Sequence, residues 1–303
     1  MTPQTPSIGI DLGASRIKAV LVDEGGNILH QQFTATHDGD SKLWKNAVST
    51  IVKDLEKKSG VTPHIGIAAP GLPNDTGTAI AVMPGRLQGL ENFDWCAFLE
   101  APAVVLNDAV SALIAESRYG AAKDFRHVVM LTLGTGVGGA ILIGGQPYLG
   151  AFSKAGHFGH MVINDEGHPG ITGMPGSLEE SIGNATVSAR SGGRFHTTHE
   201  LLRAYRTGDP QAREVWMTSV RKLAIGLASI ANILSPEVIV LGGGITEAGA
   251  DLFDPLAGFM DQYEWRPAAK RVTVVKAKQG DLAGAVGAAC YAREIAARTE
   301  SKQ

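Results

Sequence analysis

The seven residues Leu133-Gly134-Thr135-Gly136-Val137-Gly138-Gly139 carry four glycines in their last six positions. They stand between two apolar runs, 127–133 and 138–143, that read as strands. A turn so poor in side chains lets a ligand approach the backbone, and Thr135 adds a hydroxyl. It is not a Walker loop, because no Gly-Lys-Ser/Thr follows and the turn feeds a strand instead of a helix. A glycine-rich hairpin with no ligand satisfies the same pattern. The arrangement also occurs at the start of the chain, where a strand over 7–12 ends in Asp11-Leu12-Gly13-Ala14-Ser15-Arg16 and a second strand returns over 17–23. Strand, glycine turn and strand therefore appear twice, an internal repeat in organisation.

Working outward, residues 27–34 complete an antiparallel meander, 41–58 has helical spacing of apolar residues, and 65–69 is a buried strand stopped by Pro70-Gly71. The Gly-, Pro-, Asn- and Asp-rich stretch 72–95 reads as a long loop with room for one hairpin. A short strand over 103–106 leads through Asn107-Asp108 into a helix ended by Gly120. After the second glycine turn, 178–235 reads as helical with a break near 191–193, followed by a strand over 238–241, a helix, a strand over 272–275 and a closing helix over 283–298. This order predicts an α/β protein with mixed sheets.

Composition narrows the function. A net charge of −3 with no long basic block excludes an electrostatic footprint for nucleic acid, and no helix-turn-helix is expected ahead of the first strand. Two cysteines, Cys96 and Cys290, exclude a disulfide framework. The N-terminus has no basic segment followed by an apolar stretch and no uninterrupted apolar run has membrane-span length, so a cytoplasmic protein with no membrane partner is expected.

Four places besides the second glycine turn can carry chemistry. Asn107-Asp108 opens a helix, where the pair serves either as an N-cap or as a general base that accepts the proton of a hydroxyl. Gly242-Gly243-Gly244 follows a Val/Ile-rich strand, where ligands of open α/β sheets bind and where a tight turn also uses glycine. His157 and His160, three apart, suit metal ligation, sugar contact or ordinary backbone partnership. Asp11, beside its turn, can hold a hydrated metal next to a phosphate, or is a plain turn residue.

In order and identity these segments resemble the ROK family of bacterial sugar kinases, from about Ser7 to Arg293. The family opens with Asp-x-Gly-Gly-Thr-Lys, varied here at Asp11 to Arg16. It continues with Pro70-Gly71, Asn107-Asp108-Ala109, the Leu133 to Gly139 run, Ala155-Gly156-His157-Phe158-Gly159-His160 and Pro236 to Gly244. The resemblance implies an actin-like, ribonuclease H-like duplicated α/β fold, with two mixed-sheet domains flanking a cleft. Their expected bounds are 1–108 and 109–289, the first closed by a C-terminal helix at about 290–303. It implies ATP with Mg2+ as cofactors, a hexose or hexose derivative phosphorylated at its 6-hydroxyl, and a homodimer. Asp108 resembles the catalytic base. Asn107, His157, His160, Glu179 and Gly71 resemble sugar-side residues. Asp11, Gly13, Ala14, Ser15, Arg16, Gly134, Thr135, Gly136, Gly138 and Gly242, Gly243 and Gly244 resemble nucleotide-side ones, with Asp11 reaching the Mg2+ through water. A non-catalytic sugar-binding pseudo-kinase is the alternative.

Two departures from the family pattern carry expectations of their own. The family's zinc-binding cysteines are replaced by Gly170, Thr172 and Ser177, which cannot ligate zinc, so no structural zinc is expected. His157 stands where the family has a glutamate. An imidazole both donates and accepts, whereas a carboxylate only accepts, so the preferred sugar is expected to differ from glucose near C1 or C2.

Overall fold

The computed structural model describes residues 5–13, 15–83 and 85–301. The chain opens with β1 (Ser7–Leu12), β2 (Arg16–Val22) and β3 (Ile28–Ala35), followed by α1 (Ser41–Ser59) and β4 (His64–Ala69). A small hairpin of β5 (Leu72–Pro73) and β6 (Ile80–Val82), the short helix α2 (Trp95–Leu99), β7 (Ala103–Asn107) and α3 (Asp108–Tyr119) come next. Then come β8 (Val128–Leu133), β9 (Val137–Ile143) and β10 (Gln146–Pro147), and after a long connection α4 (Leu178–Ile182), α5 (Val187–Arg190), α6 (Thr198–Arg206) and α7 (Pro210–Leu234). The chain ends with β11 (Val238–Gly242), α8 (Ala250–Tyr263), β12 (Thr273–Lys276) and α9 (Ala283–Glu300).

The strands form two five-stranded sheets with the same plan, β3-β2-β1-β4-β7 and β10-β9-β8-β11-β12. In each, the central strand pairs antiparallel with the second strand of its meander and parallel with a later strand. The repeat read from the two glycine turns is thus a duplication of whole sheets.

Two compact units carry these sheets. One runs to Asp124 and includes Leu149–Lys154 and the return from Lys278; the other is Phe125–Tyr148 with Ala155–Ala277. The expected boundary at 108 and return at 290 are therefore corrected. α3 stays with the first unit because it packs on α9, and the whole of α9, from Ala283, lies on the first sheet. Fully buried Glu116 of α3 fastens the return: Oε1 accepts from the N–H groups of Lys278 (2.7 Å) and Gln279 (2.6 Å), and Oε2 from that of Ala121 (2.7 Å).

Alternation along β1 explains the first unit. Ile8, Ile10 and Leu12 share one face and bury with Trp44, Val48, Ile51, Val52 and Leu55 of α1. That helix is capped by Asp40 and ended by Gly60 at φ 69°. Ser7, Gly9 and Asp11 share the opposite face, which α9 covers. The backbones meet so closely that a Cβ on Gly9 would lie 1.8 Å from the Ala285 carbonyl oxygen, and one on Gly66 of β4 2.0 Å from that of Ala288. On its other side, α9 meets α3, where a Cβ on Gly287 would strike the Ser111 carbonyl at 1.8 Å and Ser111 Oγ donates to the Gly284 carbonyl at 2.6 Å.

In the second unit, Trp216, Val220, Leu223 and Leu227 of α7 pack with Val129, Leu131, Ile239 and Leu241 of its sheet. By length and composition α7 is apolar enough to cross a membrane, yet these side chains form the centre of that core. The region expected to be helical over 178–235 is four helices, because Gly183, Gly192-Gly193 and Gly208-Asp209-Pro210 interrupt it. The 72–95 loop contains the expected hairpin and runs directly into α2, capped by Asp94.

Gly9→Ala is expected to lower stability by about 2–3 kcal/mol, because α9 must shift off β1. Equilibrium denaturation measures this, and a loss under ~0.5 kcal/mol would contradict the close-packing account.

Candidate active site

In the first unit, the strand ends bring Asp11 and Asp108 into electrostatic contact. Asp108 is the first residue of α3, where Asn107 is the cap: its Oδ1 accepts from the N–H groups of Ala109 (2.9 Å) and Val110 (3.3 Å). Asn107 Nδ2 donates to the Gly71 carbonyl at 3.0 Å, and Gly71 is at φ 101°, with the Val82 carbonyl 2.5 Å from where a Cβ would stand. Asn107 is thus the cap, while Asp108 Oδ1 also accepts from the Ala109 N–H at 2.8 Å; the Asp108 residue is nonetheless exposed to solvent. A carboxylate that water touches on one side can still lose most of its hydration to surrounding protein. That desolvation, with the negative charge of Asp11 adding to it, pushes the Asp108 pKa up to about 6.

Asp11 is largely enclosed, and burial raises its pKa against the lowering effect of Lys18, whose Nζ is 3.3 Å from Oδ2. Lys18 also pairs with Asp281 Oδ1 (2.8 Å) and donates to the Asp281 carbonyl (2.9 Å). Arg16 is committed to Asp281 as well, and its guanidinium lies over the Phe33 ring. The first turn is held by Thr36, whose Oγ1 donates to the Gly13 carbonyl (2.6 Å) and whose N–H donates to the Ser15 carbonyl (3.1 Å). Ala14, expected at the nucleotide, lies outside the described residues.

The second unit gathers the other expected residues around the 134–137 turn. The N–H groups of Thr135 and Gly136 find no acceptor among the described residues, whereas that of Gly134 donates to the Gly136 carbonyl (2.9 Å). Gly138 is not in the turn; it pairs with Thr132 inside the ladder. Glu179 of α4 accepts from the Val137 N–H at 2.8 Å. A single helical turn, Phe158–His160, lies on β9, where a Cβ on Gly159 would be 2.0 Å from the Val137 carbonyl. This backbone contact places His160 and the preceding His157, rings stacked at 6.3 Å, beside the same strand.

A cavity of about 340 Å³ opens next to the turn, lined by Gly134 and Thr135, by Thr198, Leu202 and Arg206 of α6, and by Gly244. Its size suits a small-molecule ligand. Gly243, at φ 87° with the Leu133 carbonyl 2.4 Å from a notional Cβ, lets β11 turn tightly against the end of β8, while Gly242 remains in the strand. Sequence reading did not identify the α6 wall, since the apolar pattern of a helix reports its core face and not its ligand face. It also missed Lys18, although the β1–β2 register sets Lys18 directly opposite Asp11.

The segment carrying the replaced cysteine positions closes on backbone hydrogen bonds: Gly170 to Met174 (2.9 Å), Gly176 to His168 (3.0 Å) and Ile163 to Gly176 (3.0 Å).

A model of the ROK family matches residues 7–295. A glucokinase of Streptomyces coelicolor is 31% identical, with 95% of this chain and 98% of that protein covered. Among solved structures, a ROK hexokinase from Thermus thermophilus superposes with a TM-score of 0.84 at 26% identity, covering 97% of this chain and 100% of that one. A ROK family glucokinase from Streptomyces griseus, solved with glucose and AMPPNP, gives 0.79 at 27% identity, covering 95% and 99%.

Proposed function

The chain belongs to the ROK family and is an ATP-dependent sugar kinase. From that premise we propose that it transfers the γ-phosphoryl group of ATP to the 6-hydroxyl of a hexose or hexose derivative, with Asp108 as general base. The observation that carries this reading is the Asp108 carboxylate at the exposed start of α3, one oxygen held by the Ala109 N–H, beside Asp11 and raised to about 6. A base with that pKa is ionised at neutral pH and strong enough to take a hydroxyl proton as the oxygen attacks.

On the acceptor side, His160 accepts from or donates to sugar hydroxyls and Glu179 accepts from them, with Asn107 offering its second amide hydrogen. Gly71 acts indirectly, through the hydrogen bond that orients Asn107. On the donor side, the Thr135 and Gly136 N–H groups hold phosphate oxygens, and the neighbouring cavity takes the nucleoside. Among the described residues no group of three acidic, imidazole or thiol side chains forms a metal cage. One enclosed carboxylate suits a Mg2+ carried in on phosphates and water, and Asp11 is the residue that would hold it. Bound there, Mg2+ offsets charge on the transferring group. Lys18 keeps Asp11 balanced by a cation.

His157 gives the sugar site a side chain that both donates and accepts, so we infer that glucose is not its best substrate. Gly170, Thr172 and Ser177 at the cysteine positions support the reading that no structural zinc is bound.

Coupled ADP-release assays with ATP, Mg2+ and a panel of hexoses and N-acetylhexosamines test the function. Release dependent on a sugar is expected, with at least one sugar surpassing glucose in kcat/KM. Failure of every sugar would favour the non-catalytic alternative, and glucose ranking first would remove the His157 inference. Asp108→Asn is expected to lower kcat by about 10²–10⁴-fold with sugar affinity largely kept; near-native turnover would dismiss Asp108 as the base. Elemental analysis of the same protein is expected to find no stoichiometric zinc.

A further inference from the structure

The 134–137 turn is seated on the segment that follows it in space, residues 179–185, by three hydrogen bonds. The Asn184 N–H donates to the Gly134 carbonyl (2.9 Å), the Ala185 N–H to the Thr135 carbonyl (3.0 Å), and the Val137 N–H to Glu179 Oε2 (2.8 Å). The first two are bonds between main chains, which any residues there can make. The third depends on a side chain, and is a charge-assisted bond to the turn's own peptide. Glycine at 136 is required for it: a Cβ there would stand 2.1 Å from Glu179 Oε2 and drive the carboxylate away. The carboxylate therefore fills the space that the absent side chain leaves. Arg190 supports the same seat, its guanidinium donating to the Gly183 carbonyl at 2.7 Å.

We propose that Glu179 is a positioning residue for the donor: its carboxylate sets the geometry of the turn that receives the nucleotide phosphates. This rests on the proposed function, and deepens it. Glu179 was expected only on the sugar side, and the two duties fall on different needs of one carboxylate. Oε2 is committed to Val137, while the group's remaining lone pairs are left for a sugar hydroxyl. A single side chain then links acceptor recognition to the shape of the phosphate turn within one unit.

The charge of Glu179 makes the proposal separable from simple electrostatics. Removing a negative group beside a polyphosphate site, with no other effect, would leave nucleotide binding unchanged or tighten it. Removing the residue that holds the turn would weaken it.

Calorimetric titration with Mg2+ and AMPPNP, in the absence of any sugar, decides between these. Glu179→Ala is expected to weaken AMPPNP binding by about tenfold, the value of one bond to a charged group. Glu179→Gln retains an oxygen acceptor for the Val137 N–H and is expected to bind AMPPNP as the wild type does, while its sugar KM rises because an amide donor replaces a carboxylate oxygen. Should Glu179→Ala melt too low to titrate, Glu179→Asp, which keeps the charge and withdraws the oxygen by one methylene, is expected to show the same weakening. AMPPNP affinity in Glu179→Ala or Glu179→Asp equal to or tighter than wild type would overturn the proposal while leaving the kinase reading intact. Failure of the wild type itself to bind AMPPNP would instead remove the donor-site reading and this proposal together.

Discussion

The C-terminal helix lies against the centre of the first sheet at backbone contact distance, with Gly9 and Gly66 providing the groove and Gly287 admitting α3 on the helix's other side. Both acids of the first unit, Asp11 and Asp108, depend on that approach. It covers the face of β1 from which Asp11 projects, so that Asp11 is largely desolvated and a Cβ on Gly284 would lie 2.8 Å from its carboxyl carbon. It also holds α3, whose first residue is Asp108. A bulkier strand or helix at these points would separate the three elements, rehydrate Asp11 and move Asp108 away from it.

From this packing the electrostatics follow. A carboxylate with poor hydration beside a second acid resists ionisation, which is the property a base for a sugar hydroxyl needs. Left alone, two such acids would oppose folding. Lys18, paired with Asp11 and anchored by Asp281, supplies the compensating cation. The second unit solves a different problem, that of holding a flexible glycine turn in one shape, and does so with hydrogen bonds from the 179–185 segment. The duplicated sheets thus present the same strand-turn-strand element twice, fitted in one case with Asp11 and in the other with N–H groups that find no acceptor among the described residues.

Much of this was legible in the sequence for physical reasons. The glycine turns, the alternation Ile8-Gly9-Ile10-Asp11 and the Asn107-Asp108 helix start are local signals, each set by backbone geometry or period. The resemblance then assembled them into a family. What escaped was non-local. That α3 and the whole of α9 share one unit depends on packing between residues about 170 positions apart, such as Ser111 with Gly284. The cavity wall from α6 leaves no periodic trace, because polar cavity-lining residues such as Thr198 and Arg206 do not follow the apolar period of the helix. Lys18 was within reach of a register argument, since a turn centred on residue 14 or 15 pairs it with Asp11. The double use of Asn107, as cap and as partner of Gly71, became visible only with the carbonyl of Gly71 in place.

The pH dependence of kcat/KM tests the claim about Asp108 most directly, because its acid limb reports the base of the free enzyme. The base form must be ionised to act, so activity is expected to fall as pH drops through about 6 in the wild type. In Asp11→Asn, which removes the adjacent negative charge, the limb is expected to move to lower pH. A wild-type profile that stays flat down to the ordinary aspartate range near ~4, or an acid limb that Asp11→Asn leaves in place or moves upward, would contradict the assignment.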